Sequence, residues 1–346
     1  MIRAAERATA PLRGGTRLKG LGLSACLALA GCVAPPIPDS APQESLRPVP
    51  RAQAEATDPA PPSARSRLLS RRYDREETED LARGLLREDG NAPDAPYDAA
   101  RLAATFERLA FFGEYRRGAG LAPDGETPDV LLRWQDPVRI SLQFGSLSDA
   151  ARQSRDRTFV EAYARRLARL TSHAVTLAPT ATTTTTTTAT GRTTANFHVL
   201  VMGEDDHEAL LSEMRRLVPD ISSGTLNTLR TLPPEVPCLV MGFSSARDPA
   251  VYDTAIAVVR AELPDRTRHA CFHEEIAQGL GLRNDSPEAR PSIFNDDGEF
   301  ALLTTMDEKM LAMLYDPRLR PGMTLEEARP VIATLAGEEM ARGAGG

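Results

Sequence analysis

Between Asp98 and Tyr115 the apolar residues Leu102, Phe106, Leu109 and Phe112 recur at helical spacing, which predicts an amphipathic helix. Val138, Ile140, Leu142 and Phe144 then alternate with polar residues, the pattern of a half-buried strand introduced by Trp134 and Pro137. Ser148 to His173 reads as a long helix with Phe159, Tyr163, Leu167 and Leu170 on one face. A strand at Phe197–Met202, a helix at Glu204–Leu217, and strands at Cys238–Phe243 and Ala255–Glu262 follow. Arg268–Leu280 is a further helix whose Phe272, Ile276 and Leu280 point to the core, and Gly281 suits the left-handed position that ends it. Thr304 and Asp307 stand at capping-box spacing at the head of a helix reaching Tyr315, and Pro317 stops it. Helices and strands thus mix within residues 96–325, which predicts an α+β domain, a twisted mixed sheet packed on helices around one core.

The flanks follow different rules. Residues 32–66 are rich in Pro, Ala and Ser with almost no large apolar side chains, so they predict an extended tether. Residues 67–95 are charged and weakly amphipathic, a helical or disordered stalk, and residues 326–346 read as a C-terminal tail. Within the domain, residues 178–194 form a threonine-rich insertion. A uniform run such as Thr182–Thr188 fixes no strand register, and no function is assigned to it.

Residues 1–31 have the layout of an export signal. Arg3, Arg7, Arg13, Arg17 and Lys19 precede an apolar stretch, Leu21–Ala30, too short to span a bilayer as a permanent helix. Leu29-Ala30-Gly31-Cys32 resembles a bacterial lipobox, which implies cleavage before Cys32, lipidation of that residue and a membrane anchor through the lipid. Val33 in place of Asp implies sorting to the outer membrane, with the domain facing the periplasm of the cell envelope. Removing 1–31 leaves 36 basic against 47 acidic residues, a net charge of −11, which argues against a nucleic-acid partner. With Cys26 removed and Cys32 acylated, Cys238 and Cys271 remain. Two exported thiols favour a disulfide, which over a loop of about 30 residues stabilises by roughly 3 kcal/mol; two buried free thiols are the alternative.

The densest chemistry lies from Cys271 to Asp285. On a helical wheel Cys271, Glu274, Glu275 and Gln278 fall within about one 100° arc, and a chain reversal at Gly281 brings Asn284 and Asp285 back over that face. This arrangement resembles the active-site helix of the metzincin metallopeptidases, H-E-x-x-H-x-x-G-x-x-H, in which three histidines hold zinc and the glutamate is the general base. Glu274, Gln278 and Asn284 fall on the three histidine positions, Glu275 on the base and Gly281 on the glycine. The spacing is kept and the zinc histidines are absent. Ser292-Ile293-Phe294-Asn295 resembles the Met-turn with Phe294 in place of the methionine, and the tract from Cys271 to Met323 resembles the bacterial envelope family called domain of unknown function 2927. The resemblance implies a zincin-like fold with a degenerate cleft, a pseudoenzyme.

Zinc sites are built mainly from imidazole and thiolate, whereas Glu274, Gln278, Asn284 and Asp285 offer only oxygen, which suits a hard divalent cation better. Against any cation stands a simpler reading, in which the Glu-Glu-x-x-Gln face hydrogen-bonds to the polar turns that follow it. His269 and His273 are spaced i, i+4, but they sit on the Ile276 side of the helix, which favours structural roles. Two functional expectations follow. The first is a binding or scaffolding protein for an envelope protein or peptide ligand, with no resident cofactor. The second is a peptidase-like hydrolase with Glu275 as general base and a non-standard divalent cation.

Overall fold

The computed structural model describes residues 61–114, 127–179, 195–244, 247–295 and 297–343. Cys32, the signal segment, the tether to residue 60, Asp296 and most of the threonine-rich insertion (180–194) lie outside the described residues.

The alternating segment 138–144 is β2 (Val138–Phe144), the strand next to one edge of a six-stranded sheet. It pairs in parallel with β3 (Val175–Leu177) on one side and β4 (Phe197–Met202) on the other. Next to β4 runs β6 (Val251–Arg260), also parallel, with the short β1 (Arg133–Trp134) paired to its start. The edge is β5 (Cys238–Ser244), antiparallel to β6, so the sheet is mixed as expected.

The two faces of the sheet are covered unequally. On one face α4 (His207–Leu217) and α5 (Ser223–Arg230) cover Leu200, Met241, Ile256 and Val258. The larger core on the other face gathers α2 (Ala99–Phe111), α3 (Ala150–Thr171), α6 (Asp265–Leu280) and α7 (Thr305–Leu314). Asp98 and Asp149 accept from backbone N–H groups as the N-caps of α2 and α3. Thr304 and Asp307 form the expected capping box of α7, and Asp307 also accepts from the Ser292 hydroxyl and the Ile293 N–H. Complete burial pushes the Asp307 carboxyl up to about 6 in spite of those bonds.

The helical alternative for the first flank holds over part of it, while its docking and the fold of the C-terminal flank were not expected. The stalk is a helix, α1 (Ala64–Ala82), and it lies on the domain: Leu69 and Tyr73 enter the main core and Ser66 donates to Glu262 at 2.8 Å. Residues 63–66 therefore belong to this helix and its cap rather than to a tether. The C-terminal tail is α8 (Leu325–Gly343), with Ile332, Leu335 and Ala336 buried in the same core. None of the described helices is long and apolar enough to cross a membrane.

Candidate functional site

The site is organised by α6, a helix held on nearly every side. Its Phe272, Ile276 and Leu280 are fully buried, the core face that the periodicity predicts. Three of its carbonyls accept from side chains of other elements: His273 from the Tyr163 hydroxyl at 2.8 Å, Gly279 from the Trp134 indole at 2.9 Å and Leu280 from the Tyr315 hydroxyl at 3.0 Å. Gly279 has no side chain because the Phe197 ring occupies the space; a Cβ there would stand 2.5 Å from it. Gly281 ends the helix at φ 135°, and a Cβ would meet the Leu132 carbonyl at 2.6 Å, so the reversal needs glycine twice over.

After Gly281 the chain runs along the end of α2. Arg283 N–H donates to the Leu109 carbonyl at 2.9 Å, and Glu114 N–H donates to the Arg283 carbonyl at 3.4 Å. Asp285 returns over α6 as expected, and Gln278 donates to it through Nε2 at 2.8 Å. Asn284 does not join them. Its side chain is buried and donates through Nδ2 to the Arg108 carbonyl at 3.2 Å, one of the last-turn carbonyls of α2 that have no intrahelical partner.

Cys238 and Cys271 form a disulfide that ties the first residue of β5 to α6. This closes the choice between a bridge and two free thiols. Beside it, carboxylate oxygens of Glu274 and Glu275 and the Cys238 sulfur all lie within 4.8 Å of one another. Glu274 is half-buried at the surface, while Glu275 is 4% exposed and its Oε2 has no hydrogen-bond partner. Burial pushes the Glu275 carboxyl well above the ordinary glutamate range, and Glu274, Glu114 and Asp285 push it further the same way. Glu275 is therefore a neutral carboxylic acid over a range where exposed glutamates are charged. Nothing in the sequence pattern marks Glu114. It follows a helix far away in the chain, and the turn after Gly281 brings it near Glu275.

The four oxygen residues considered for a cation are thus divided. Glu274 reaches Glu275, Gln278 is turned toward Asp285, and Asn284 faces α2. The sulfur nearest the two glutamates is in a disulfide and offers no thiolate. This donor set does not fit a divalent cation, which takes six or more oxygens in Ca²⁺ sites and near-ideal octahedral geometry in Mg²⁺ sites.

The histidines are structural, as their facing predicts. His273 Nδ1 accepts from the Leu303 N–H at 3.0 Å, its ring stacks on Tyr163 with centroids 3.8 Å apart, and burial holds it neutral. His269 stacks on Phe159 at 3.8 Å and stands 3.4 Å from Asp156.

A mixed-sheet α/β domain with a buried neutral acid below a carboxylate rim is the class that fold and site define. The family model for Protein of unknown function (DUF2927) matches residues 99–334, and the chain belongs to that family. No curated protein and no solved structure matches the chain significantly.

The state of Glu275 has a measurable consequence. A carboxyl raised in the folded state contributes stability that is whole below the unfolded value, 4.5 for glutamate, and is lost as the pH rises toward the folded value. Glu275→Gln keeps the shape and cannot ionise. The variant is expected to match the wild type near pH 4 and to exceed it increasingly above, with a slope approaching about 1.4 kcal/mol per pH unit. Urea denaturation of both proteins at pH 5, 6.5 and 8 measures the gap, and an unchanged gap means that Glu275 ionises normally.

Proposed function

We propose that this is a lipid-anchored domain of the bacterial cell envelope that binds an extended polypeptide in a metzincin-like, catalytically idle cleft between α6 and β5. The observation that carries the reading is the buried, neutral Glu275 among residues that hold one another rather than a cation. A general base must be ionised to take a proton from water, and burial together with three neighbouring carboxylates opposes that form. The same neutral acid serves well as a hydrogen-bonding group for a ligand.

The neighbouring strand supports a polypeptide as the ligand. In the register of β5 on β6 the Pro237 carbonyl accepts from Arg260 N–H, so backbone groups of Val240 and Gly242 point away from β6. A strand edge with outward-facing main-chain groups suits strand addition, in which main-chain bonds give affinity. The disulfide agrees with an oxidising compartment, and the Cys32 lipobox supplies the anchor.

The test is incubation of the mature chain with an unfolded, reduced protein substrate, with and without Zn²⁺, Mn²⁺ or Ca²⁺, followed by mass spectrometry. Wild type and Glu275→Gln are expected to give the same background of fragments. Cleavage by the wild type that disappears in Glu275→Gln overturns the non-catalytic reading in favour of the hydrolase. For the anchor, Cys32→Ser is expected to move the protein from the membrane to the soluble fraction.

A further inference from the structure

We infer that α1 is a hinged latch, closed in this structure, that undocks as a unit while the rest of the domain stays folded and so uncovers the carboxyl ends of β4 and β6. The family match, residues 99–334, begins after α1, so the latch is an addition to the segment that defines the family. Its movement is independent of what the domain binds.

The hinge is Gly84. Its φ is +78°, and a Cβ there would meet nothing within 4 Å, so no neighbour packs against the turn. The N–H groups of Arg83, Gly84 and Leu85 all bond back to carbonyls of α1 itself. Just beyond, the chain is fixed to the domain. Leu86 N–H donates to the Gly298 carbonyl at 3.0 Å and Arg87 N–H to the Glu299 carbonyl at 2.8 Å. The Arg87 guanidinium adds ion pairs to Asp89, Asp94 and Glu299. Main-chain bonding thus passes from helix to domain within the two residues after Gly84.

The grip of the latch is mostly polar. Of the large apolar residues of α1, Leu69 and Tyr73 are buried, while Leu68 and Leu81 stand 60% and 42% exposed. Arg65, Arg67, Arg71 and Arg72 occupy its first half, and Asp74, Glu76, Glu77, Glu79 and Asp80 its second, the reverse of the order the helix dipole favours. This order serves docking instead. Arg65 meets Glu204 at 2.6 Å and Arg72 meets Glu235 at 2.9 Å, while Glu77 accepts from the Thr267 N–H at 2.9 Å in the first turn of α6. Exposed ion pairs of this kind hold weakly. Beneath the latch, the Ser66 hydroxyl and the Glu204 N–H donate to Oε1 of the buried Glu262, whose Oε2 has no hydrogen-bond partner. A half-satisfied carboxyl under a helix favours opening, because water reaches it once α1 leaves. The place covered is also a switch point of the sheet. The adjacent parallel strands β2 and β4 are followed by α3 and α4 on opposite faces, and open α/β sheets take ligands outside the carboxyl ends of such strands.

The test is native-state hydrogen exchange, read residue by residue by NMR on the mature chain carrying Cys32→Ser, in buffer and in low concentrations of urea. The amides of Tyr73 to Leu81 are expected to exchange roughly a hundredfold faster than those of β4, with little dependence on urea, as a local opening requires. The Thr267 amide, bonded to Glu77 across the interface, is expected to exchange at the rate of α1 rather than at that of the later turns of α6. Ser66→Ala removes a hydrogen bond to a carboxylate and is expected to speed exchange in α1 and at Thr267 roughly tenfold while leaving β4 unchanged. Exchange of α1 and β4 with one rate and one urea dependence overturns the latch, since α1 then opens only when the domain unfolds. An acceleration by Ser66→Ala that β4 shares overturns it on the same ground.

Discussion

Replacing Arg268 by alanine is expected to destabilise the domain by about 3–5 kcal/mol, the effect of leaving one member of a buried ion pair alone. Arg268 and Asp156 are both fully buried, with Nε to Oδ2 at 2.9 Å and Nη2 to Oδ1 at 2.8 Å. The remaining donors of the guanidinium reach the Leu263 carbonyl at 3.0 Å and Asp265 at 2.8 Å. Burial alone would raise the Asp156 carboxyl, but the nearby His269 ring and the bonds from Arg268 hold it below the ordinary range. Asp156 lies on α3 and Arg268 in the first turn of α6, so the pair fixes the start of the helix that carries Glu274 and Glu275. The size of the loss reflects the stranded Asp156 charge more than the worth of the pair. The double variant Arg268→Met, Asp156→Leu is therefore expected to recover most of it. Urea denaturation of the two variants measures both numbers, and a loss under about 1 kcal/mol for Arg268→Ala would contradict the buried pair.

Arg268 also shows where sequence reading stops. The helix around it was legible because Phe272, Ile276 and Leu280 carry its apolar stripe, and its end because Gly281 marks a reversal. Nothing in a one-dimensional pattern pairs an arginine with an aspartate 112 residues away. The same limit hid the docking of α1 and the whole of α8. Leu69 and Tyr73 are the large apolar contacts of α1, and polar ones such as Ser66 to Glu262 and Thr267 to Glu77 complete its docking, so a charged, weakly amphipathic segment reads as a stalk. In α8 an internal Pro330 and a mixed acidic surface mask the buried Ile332 and Leu335. At the site, spacing placed Glu274, Glu275 and Gln278 on one face and brought Asp285 back to Gln278. It misplaced Asn284, whose backbone returns as expected while its amide is drawn to the Arg108 carbonyl. A chain reversal sets where a Cα lies; which way a short polar side chain turns depends on the nearest unsatisfied backbone group.

Removing the disulfide with Cys238→Ser, Cys271→Ser is expected to lower stability by about 3–4 kcal/mol, the chain-entropy contribution of a bridge closing a loop of this size. The sequence separation of the two cysteines is 33 residues, and the loop holds β5, β6 and the first turns of α6. The domain is expected to stay folded, because α6 remains clasped by the Trp134 indole on the Gly279 carbonyl and by Phe197 against Gly279. What loosens is local. The bridge joins the first residue of the edge strand to the helix turn just before Glu274 and Glu275, so without it the strand edge and the carboxylates can shift independently. A strand edge that a polypeptide must engage loses affinity when it is no longer held in place. Peptide binding should therefore fall by more than the fraction of unfolded protein accounts for, under conditions where the variant is still fully folded. Guanidinium denaturation of the double variant and of the wild type with and without dithiothreitol gives the stability, and peptide titration in buffer gives the affinity. Equal stability of oxidised and reduced wild type would show that the bridge does not constrain the chain. A full stability loss with unchanged affinity would separate the disulfide from the site and place β5 outside the binding surface.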